Sequence, residues 1–205
     1  AQVAGSILGP AQGKAAEAIV EYRNAVQADP RYGAARVKLS EAYAKVGNGI
    51  EAYREAIRAA DLLPDDAAVQ VRAGQFLLLA GQSEDARSRA EKALLKEPRL
   101  VDALVLRANA LAGLKDLDGA VEEIEQAIAL DPQQARTYAS LGALQLARGN
   151  PADAEAAFRR AVEVDAKSVP AQLALANFLW TTGRQDLAEA AFKAASELDP
   201  KNQLA

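Results

Sequence analysis

Three primary amides lie at one position of a recurring sequence pattern: Gln75, Asn109 and Asn177 are separated by multiples of 34 residues. Glu41 precedes them at the same position, and Ala143 interrupts the row. A primary amide is both a donor and an acceptor, so amides spaced along a groove could bond the backbone of an extended peptide without reading its side chains. Polar residues on an exposed face also need no ligand, and both interpretations stay open.

A few other side chains could contact a ligand. Arg72 and Arg136 could pair with acidic side chains of a partner, or could be solvated or paired within the chain. Trp180, the only tryptophan, could anchor a partner or pack against a neighbouring element. Ser140 and the other hydroxyls have no histidine to activate them, so we predict no catalytic residue and no enzyme activity.

The composition excludes several kinds of chemistry. The 205 residues include no histidine and no cysteine, which removes the commonest general base and all thiolate chemistry. The net charge is −4, and acidic and basic residues are interspersed without a basic cluster that could neutralise phosphates. We therefore expect no metal, no cofactor and no nucleic-acid partner. No apolar run is long enough to insert into a membrane, and the absence of methionine suggests a piece of a longer polypeptide.

The elements that must position these residues repeat every 34 residues. Half of the chain is apolar and rich in alanine, which favours helices. Prolines recur at this spacing, and Ala166 occupies the one position of the row without a proline: Pro30, Pro64, Pro98, Pro132 and Pro200. Two rows are entirely alanine: Ala18, Ala52, Ala86, Ala120, Ala154 and Ala188, then Ala25, Ala59, Ala93, Ala127, Ala161 and Ala195. A row of loop glycines precedes the first alanine row, and Lys115 replaces the glycine at one position: Gly13, Gly47, Gly81, Gly149 and Gly183.

Over residues 13–200 this pattern resembles the tetratricopeptide repeat, in which small residues, alanines and a terminal proline recur at these positions. The resemblance implies an all-α, right-handed superhelical solenoid of helix-turn-helix units, with five full repeats and an N-terminal half repeat. We divide the chain into an irregular segment 1–12, a half repeat 13–32, repeats 33–66, 67–100, 101–134, 135–168 and 169–202, and a tail 203–205, residues 13–200 forming one array.

Each repeat has room for two antiparallel helices of about 14 residues, which we call its first and second helix. First helices are predicted near 33–46, 67–80, 101–114, 135–148 and 169–182. Second helices are predicted near 49–62, 83–96, 117–130, 151–164 and 185–198. Residues 14–28 form a lone second helix, because its partner would fall on residues 1–12, where Gly5, Gly9 and Pro10 disfavour a helix. The array has no polar cap at either end, so both ends are expected to self-associate.

In this family the concave face, lined by first helices, commonly binds a peptide. The resemblance assigns seven residues to that groove: Gln75, Asn109, Asn177, Arg72, Arg136, Val71 and Val105. The two valines, in a row with Val37 and Leu173, could form an apolar floor for a partner or pack half-buried. The lysine with which some members clamp a C-terminal carboxylate is missing at every repeat, which argues against that ligand.

The resemblance implies a protein-interaction scaffold that binds a peptide or a partner subunit in its groove. Two alternatives remain: a recognition arm of a larger enzyme or export machine, and a self-assembling structural scaffold. The sequences of the repeats are also similar to those of long bacterial repeat proteins, including envelope lipoproteins linked to exopolysaccharide and protein sorting. This similarity slightly favours the cell envelope over the cytoplasm, although the sequence does not fix the compartment.

Overall fold

The computed structural model describes residues 10–198, and all of its regular elements are helices. In chain order they are α1 Pro10–Ala28, α2 Gly33–Lys45, α3 Gly49–Leu62, α4 Ala67–Leu79, α5 Ser83–Lys96, α6 Val101–Gly113, α7 Leu117–Leu130, α8 Ala135–Ala147, α9 Pro151–Val164, α10 Val169–Thr181 and α11 Gln185–Leu198. They form two compact units, divided between Pro98 and Arg99. The first contains α1 to α5, and the second contains α6 to α11.

The helix bounds agree closely with the 34-residue pattern. The five second helices, α3, α5, α7, α9 and α11, have the predicted bounds, and each first helix ends one residue earlier than predicted. The prediction was wrong at the N-terminus, where α1 begins at Pro10 and includes Gly13 instead of leaving both in an irregular segment or loop. Proline is tolerated in the first turn of a helix because its missing N–H has no partner there. Residues 1–9 and the predicted tail 203–205 lie outside the described residues.

The alanine rows lie where the second helices pack on first helices. In the first unit α2 packs on α3 and α4 on α5, and in the second unit α6 packs on α7, α8 on α9 and α10 on α11. The alanines of both rows in these second helices have almost no exposed surface. Ser40 in α2 donates a hydrogen bond to the carbonyl of Ala52 at 2.7 Å. The small residues therefore let the helix backbones approach closely.

Gly142 occupies the same position in α8 as Ser40 does in α2. A Cβ atom there would lie 2.7 Å from the Phe158 ring of α9. Phe158 in turn packs on Phe178 of α10, with the two rings tilted and their centroids 5.4 Å apart. The missing side chain at residue 142 is therefore what allows a large aromatic cluster to fill the core of the second unit.

The turns inside the hairpins need one left-handed residue each. Gly47, Gly81, Gly149 and Gly183 have φ between 74° and 82°, and Lys115 takes the same conformation with φ 70°. The gap that the sequence shows in its glycine row is therefore filled without a change of turn geometry. A left-handed conformation costs a lysine roughly 1–2 kcal/mol relative to glycine, so the packing of α6 on α7 must hold this turn in place.

Candidate functional site

In the first unit the predicted groove residues are Val71, Arg72 and Gln75, and all three belong to α4. Gln75 is exposed, as an amide that contacts a ligand must be. Arg72 is not free, because its Nη1 donates to Glu41 Oε1 at 2.6 Å, which joins α4 to α2. Lys38 Nζ donates to the other Glu41 oxygen at 3.1 Å. The second alternative for Arg72, pairing within the chain, is the one that the structure shows.

The Glu41 carboxylate lies between two positive charges. Burial alone raises the pKa of its carboxyl group, but the hydrogen bond from Lys38 and the charge of Arg72 outweigh that effect. The pKa of Glu41 therefore lies below its ordinary value of 4.5. A carboxyl group with a lowered pKa in the folded state stabilises the fold above its unfolded-state pKa. This contribution is lost as the pH falls through the folded-state pKa.

Replacing Arg72 with glutamine is expected to lower the free energy of unfolding by about 0.5–1 kcal/mol near neutral pH, since the pair is partly exposed. The difference between wild type and variant should shrink as the pH falls below 4.5, because Glu41 then becomes protonated in both. Urea denaturation between neutral pH and a pH below 4.5 measures this difference in the free energy of unfolding. In a Glu41→Gln background the same arginine substitution should show no such pH dependence, and a persisting dependence would contradict the assignment.

In the second unit three first helices lie side by side, because α8 contacts both α6 and α10. Asn109 of α6, Ala143 of α8 and Asn177 of α10 are all exposed at the same helix position. We call these three residues the amide face. It presents two primary amides on the outer helices, with a methyl group between them.

An apolar strip lies beside the amide face. Leu146 and Trp180 follow Ala143 and Asn177 by three residues, about one helical turn, and their exposed fractions are 43% and 56%. Trp180 is therefore available to a partner in the described part of the chain. Leu146 was not singled out from the sequence, although the position it shares with Trp180 holds smaller residues in α2 and α6. The large apolar side chains of Leu78, Leu146 and Trp180 in that row were the signal that could have identified it.

Arg136 was predicted to contact an acidic ligand, but it also has a partner within the second unit. It forms an ion pair with Asp102 of α6, which lies 34 residues earlier at the same helix position. Asp102 and Glu41 thus have the same role in the two units, because each forms an ion pair with an arginine of the next first helix. Both guanidinium groups remain about half exposed and could still donate to a further acceptor.

Val71 and Val105 do not line a surface. Their exposed fractions are only 5% and 6%, so the structure corrects their assignment to the groove and supports the packing alternative. The physical reason is visible at Val37, which occupies the same position in α2. It packs against a cluster formed by Ala59 and Ala60 of α3 with Val69 and Ala73 of α4. This position faces the next helix pair instead of the solvent.

Among the described residues, no three or more acidic side chains converge in a way that could hold a metal ion. No helix between residues 10 and 198 combines the length and the apolar character that a membrane span requires. The exposed groups of the two first-helix faces include amides, arginine–carboxylate pairs, lysines and apolar side chains. These groups suit the binding of a polypeptide, through its backbone and its apolar side chains.

Comparison with known proteins agrees with this geometry. A sequence model described as "Tetratricopeptide repeat" matches residues 72–135 and 140–203, and a second model with that description matches residues 11–73. Small glutamine-rich tetratricopeptide repeat-containing protein 2 of Saccharomyces cerevisiae is 29% identical over 110 residues, which are 50% of this chain and 32% of the yeast protein. The chain therefore spans about a third of that relative's length.

Two solved structures show the same fold. A thermophilic tetratricopeptide repeat (TPR) protein from Thermus thermophilus is similar with a TM-score of 0.76 and 20% identity, over 83% of this chain and 93% of that one. YrrB, described as a TPR protein with an unusual peptide-binding site, is similar with a TM-score of 0.54 and 16% identity, over 88% of this chain and 93% of that one. The predicted all-α solenoid class is confirmed.

Proposed function

Because this chain belongs to the tetratricopeptide repeat family, whose members are generally non-enzymatic scaffolds for protein interactions, we propose that it binds an extended peptide segment of a partner protein across its first helices. The observation that carries the proposal is the amide face, with Leu146 and Trp180 beside it, on three adjacent helices of the second unit. Gln75 offers the same chemistry on the first unit.

The amides would hold the backbone of the peptide. Each asparagine can donate to a peptide carbonyl and accept from a peptide N–H, so Asn109 and Asn177 together could fix two separate points of an extended chain. Ala143 leaves room between them because its side chain is a single methyl group. An extended strand places successive side chains on opposite sides, so one set would face the apolar strip while the other set faces solvent.

The apolar strip would supply most of the affinity. Trp180 and Leu146 expose large apolar surfaces that a ligand side chain could cover, and burial of such surface is worth about 25 cal/mol per Å². Arg136 adds little net attraction for acids, because Asp102 already neutralises it. We therefore expect a ligand with apolar residues at alternate positions and no strict need for acidic ones.

The test replaces both amides of the amide face. Peptides are first selected from a random library for binding to the wild type. Fluorescence anisotropy then compares their affinity for the wild type with their affinity for an Asn109→Ala/Asn177→Ala variant. Because each hydrogen bond is worth about 0.5–1.5 kcal/mol, the dissociation constant should rise about tenfold. A peptide methylated at its backbone nitrogens should lose a similar factor with the wild type and much less with the variant.

The matched control removes two exposed amides from second helices, in a Gln126→Ala/Gln185→Ala variant. It should bind the selected peptides as the wild type does. Equal weakening in both variants, or unchanged binding in the amide-face variant, would refute the proposal for this surface. The circular dichroism spectrum of each variant shows whether its helices are retained.

The other roles expected from the sequence stay predictions. The chain spans about a third of its yeast relative, and a function as the recognition arm of a larger enzyme or export machine stays a prediction. Self-assembly into a structural scaffold would be revealed by a molecular mass that increases with concentration. Neither role changes the test of the amide face.

A further inference from the structure

Helix α1 has an apolar face that no first helix covers in the described part of the chain. It packs on α2, the helix that follows it, whereas α3 packs on both α2 and α4, and α5 packs on α4, which precedes it. Ala18 and Ala25 are accordingly half-buried, although the alanines at the same positions of α3 and α5 are almost completely buried. Tyr22 lies between them and is also half-buried.

This face forms one wall of a cleft of about 530 Å³ between α1 and α2. Ala18 and Tyr22 line it from α1, and three lysines surround it: Lys14 on α1 with Lys38 and Lys45 on α2. Glu41 is the only acidic residue of the lining, and it is already bonded to Lys38 and Arg72. The cleft therefore combines an apolar base with an excess of positive charge.

The hairpins of the first unit show which shape fits such a face. In α2, the large Leu39 is buried beside the small Ser40, whose hydroxyl reaches the carbonyl of Ala52 on α3. Ala18 is the counterpart of Ala52 on α1. A helix with a large apolar residue followed by a small one would pack on Ala18 in the same way, because a bulkier residue could not approach the backbone.

The charges show which side chain such a helix should carry. Arg72 on α4 bonds Glu41 of the preceding first helix, and Lys38 lies 34 residues before Arg72, at the same position of α2. A helix in the cleft with an acidic residue at the position of Glu41 would therefore place that carboxylate beside Lys38. Lys14 and Lys45 would attract further acidic residues along its exposed sides.

We propose that this cleft is a second binding site, which takes an amphipathic α-helix of a partner protein with a large and a small apolar residue in succession on one face and acidic residues beside them. This site is distinct from the amide face, and it takes a folded helix where the amide face takes an extended segment. A second copy of the chain is a poorer occupant, because its first helices within residues 33–181 are already packed on their own second helices.

The test uses a fluorescein-labelled synthetic peptide that follows residues 31–46 of this chain with Arg31→Glu, Lys38→Glu and Lys45→Glu, so that it keeps the pattern of Leu39, Ser40 and Glu41 and carries further acidic residues. The wild-type protein should bind it with saturable anisotropy. An Ala18→Phe variant should bind at least about tenfold more weakly, because the ring fills the place of the incoming backbone. Val20 is exposed on the same helix, so a Val20→Phe variant is the matched control and should bind normally.

The charge prediction is tested by an exchange. A Lys38→Glu variant of the protein should bind the peptide at least about threefold more weakly, and a peptide with lysine at the position of Glu41 should restore the affinity. Failure of the wild type to bind the peptide, or equal loss in the Val20→Phe control, would overturn the proposal. The Asn109→Ala/Asn177→Ala variant should bind this peptide normally, which separates the two sites.

Two other occupants have their own signatures, and either would overturn the proposal. If the peptide binds only after residues 1–9 are deleted, the N-terminal segment of the chain itself holds the cleft. If the molecular mass increases with protein concentration and decreases when the peptide is added, a second copy holds it. A monomer of constant mass that binds the peptide with residues 1–9 in place supports a partner helix.

Discussion

Substituting alanine for Glu55 is expected to lower the free energy of unfolding by about 3–5 kcal/mol. Glu55 is buried in α3 and accepts hydrogen bonds from Arg36 at 2.6 Å and from Arg58 at 2.8 Å. Arg36 is buried as well, so the substitution leaves a guanidinium group in the interior without its counter-charge. Its remaining bonds to the Pro30 carbonyl supply no negative charge. Urea denaturation followed by circular dichroism measures the loss.

The control for this prediction is Glu51→Ala in the same helix, which breaks the more exposed pair between Glu51 and Arg54. It should cost less than about 1 kcal/mol. An Arg36→Leu/Glu55→Leu variant should recover much of the stability, since apolar residues of similar volume can replace a buried ion pair. Leu104, buried at the position of Arg36 in the second unit, shows that the fold accepts leucine there. Equal losses for Glu55→Ala and Glu51→Ala would contradict the argument.

Replacing Ala120 with leucine is expected to lower the free energy of unfolding by about 1–3 kcal/mol. Ala120 has no exposed surface and lies where α7 meets α6, so three additional carbon atoms must displace one helix or distort a side chain. The melting temperature of the variant should decrease accordingly. The effect would be seen by calorimetry as well as by denaturation with urea.

The same substitution at Ala129, which is exposed on the same helix, is the matched control and should change stability by no more than about 0.5 kcal/mol. Asn109→Ala should be similarly mild, because its side chain is exposed. If Ala129→Leu destabilised the protein more than Ala120→Leu, the buried face of α7 would have been assigned to the wrong residues.

The sequence predicted the helices well because their causes are local and periodic. Proline and glycine positions set the ends of each hairpin, and the alanine rows marked the faces that had to be buried, so α3 and α5 have the predicted bounds. The error at α1 has the same origin. Pro10 and Gly13 were interpreted by the low helix propensity of proline and glycine. A proline in the first turn is nevertheless compatible with a helix, and the contact of α1 with α2 stabilises this one.

The candidate site was less predictable, because it depends on which side chains meet between helices. The exposure of Gln75, Asn109 and Asn177 follows from their helix position alone. The pairing of Arg72 with Glu41 does not, since the two residues lie 31 positions apart and the outcome depends on side-chain reach. The burial of Val71 similarly depends on how closely the next helix pair approaches.

The contacts described within each unit also have a consequence for how the chain folds. The main contacts join helices that are one or two apart in the chain, from α1 on α2 through α10 on α11. Such a network has a low contact order, so little loop-closure entropy opposes the transition state and folding should be fast. Structure can then form in any hairpin and spread to its neighbours, which would let the protein fold progressively as it leaves the ribosome.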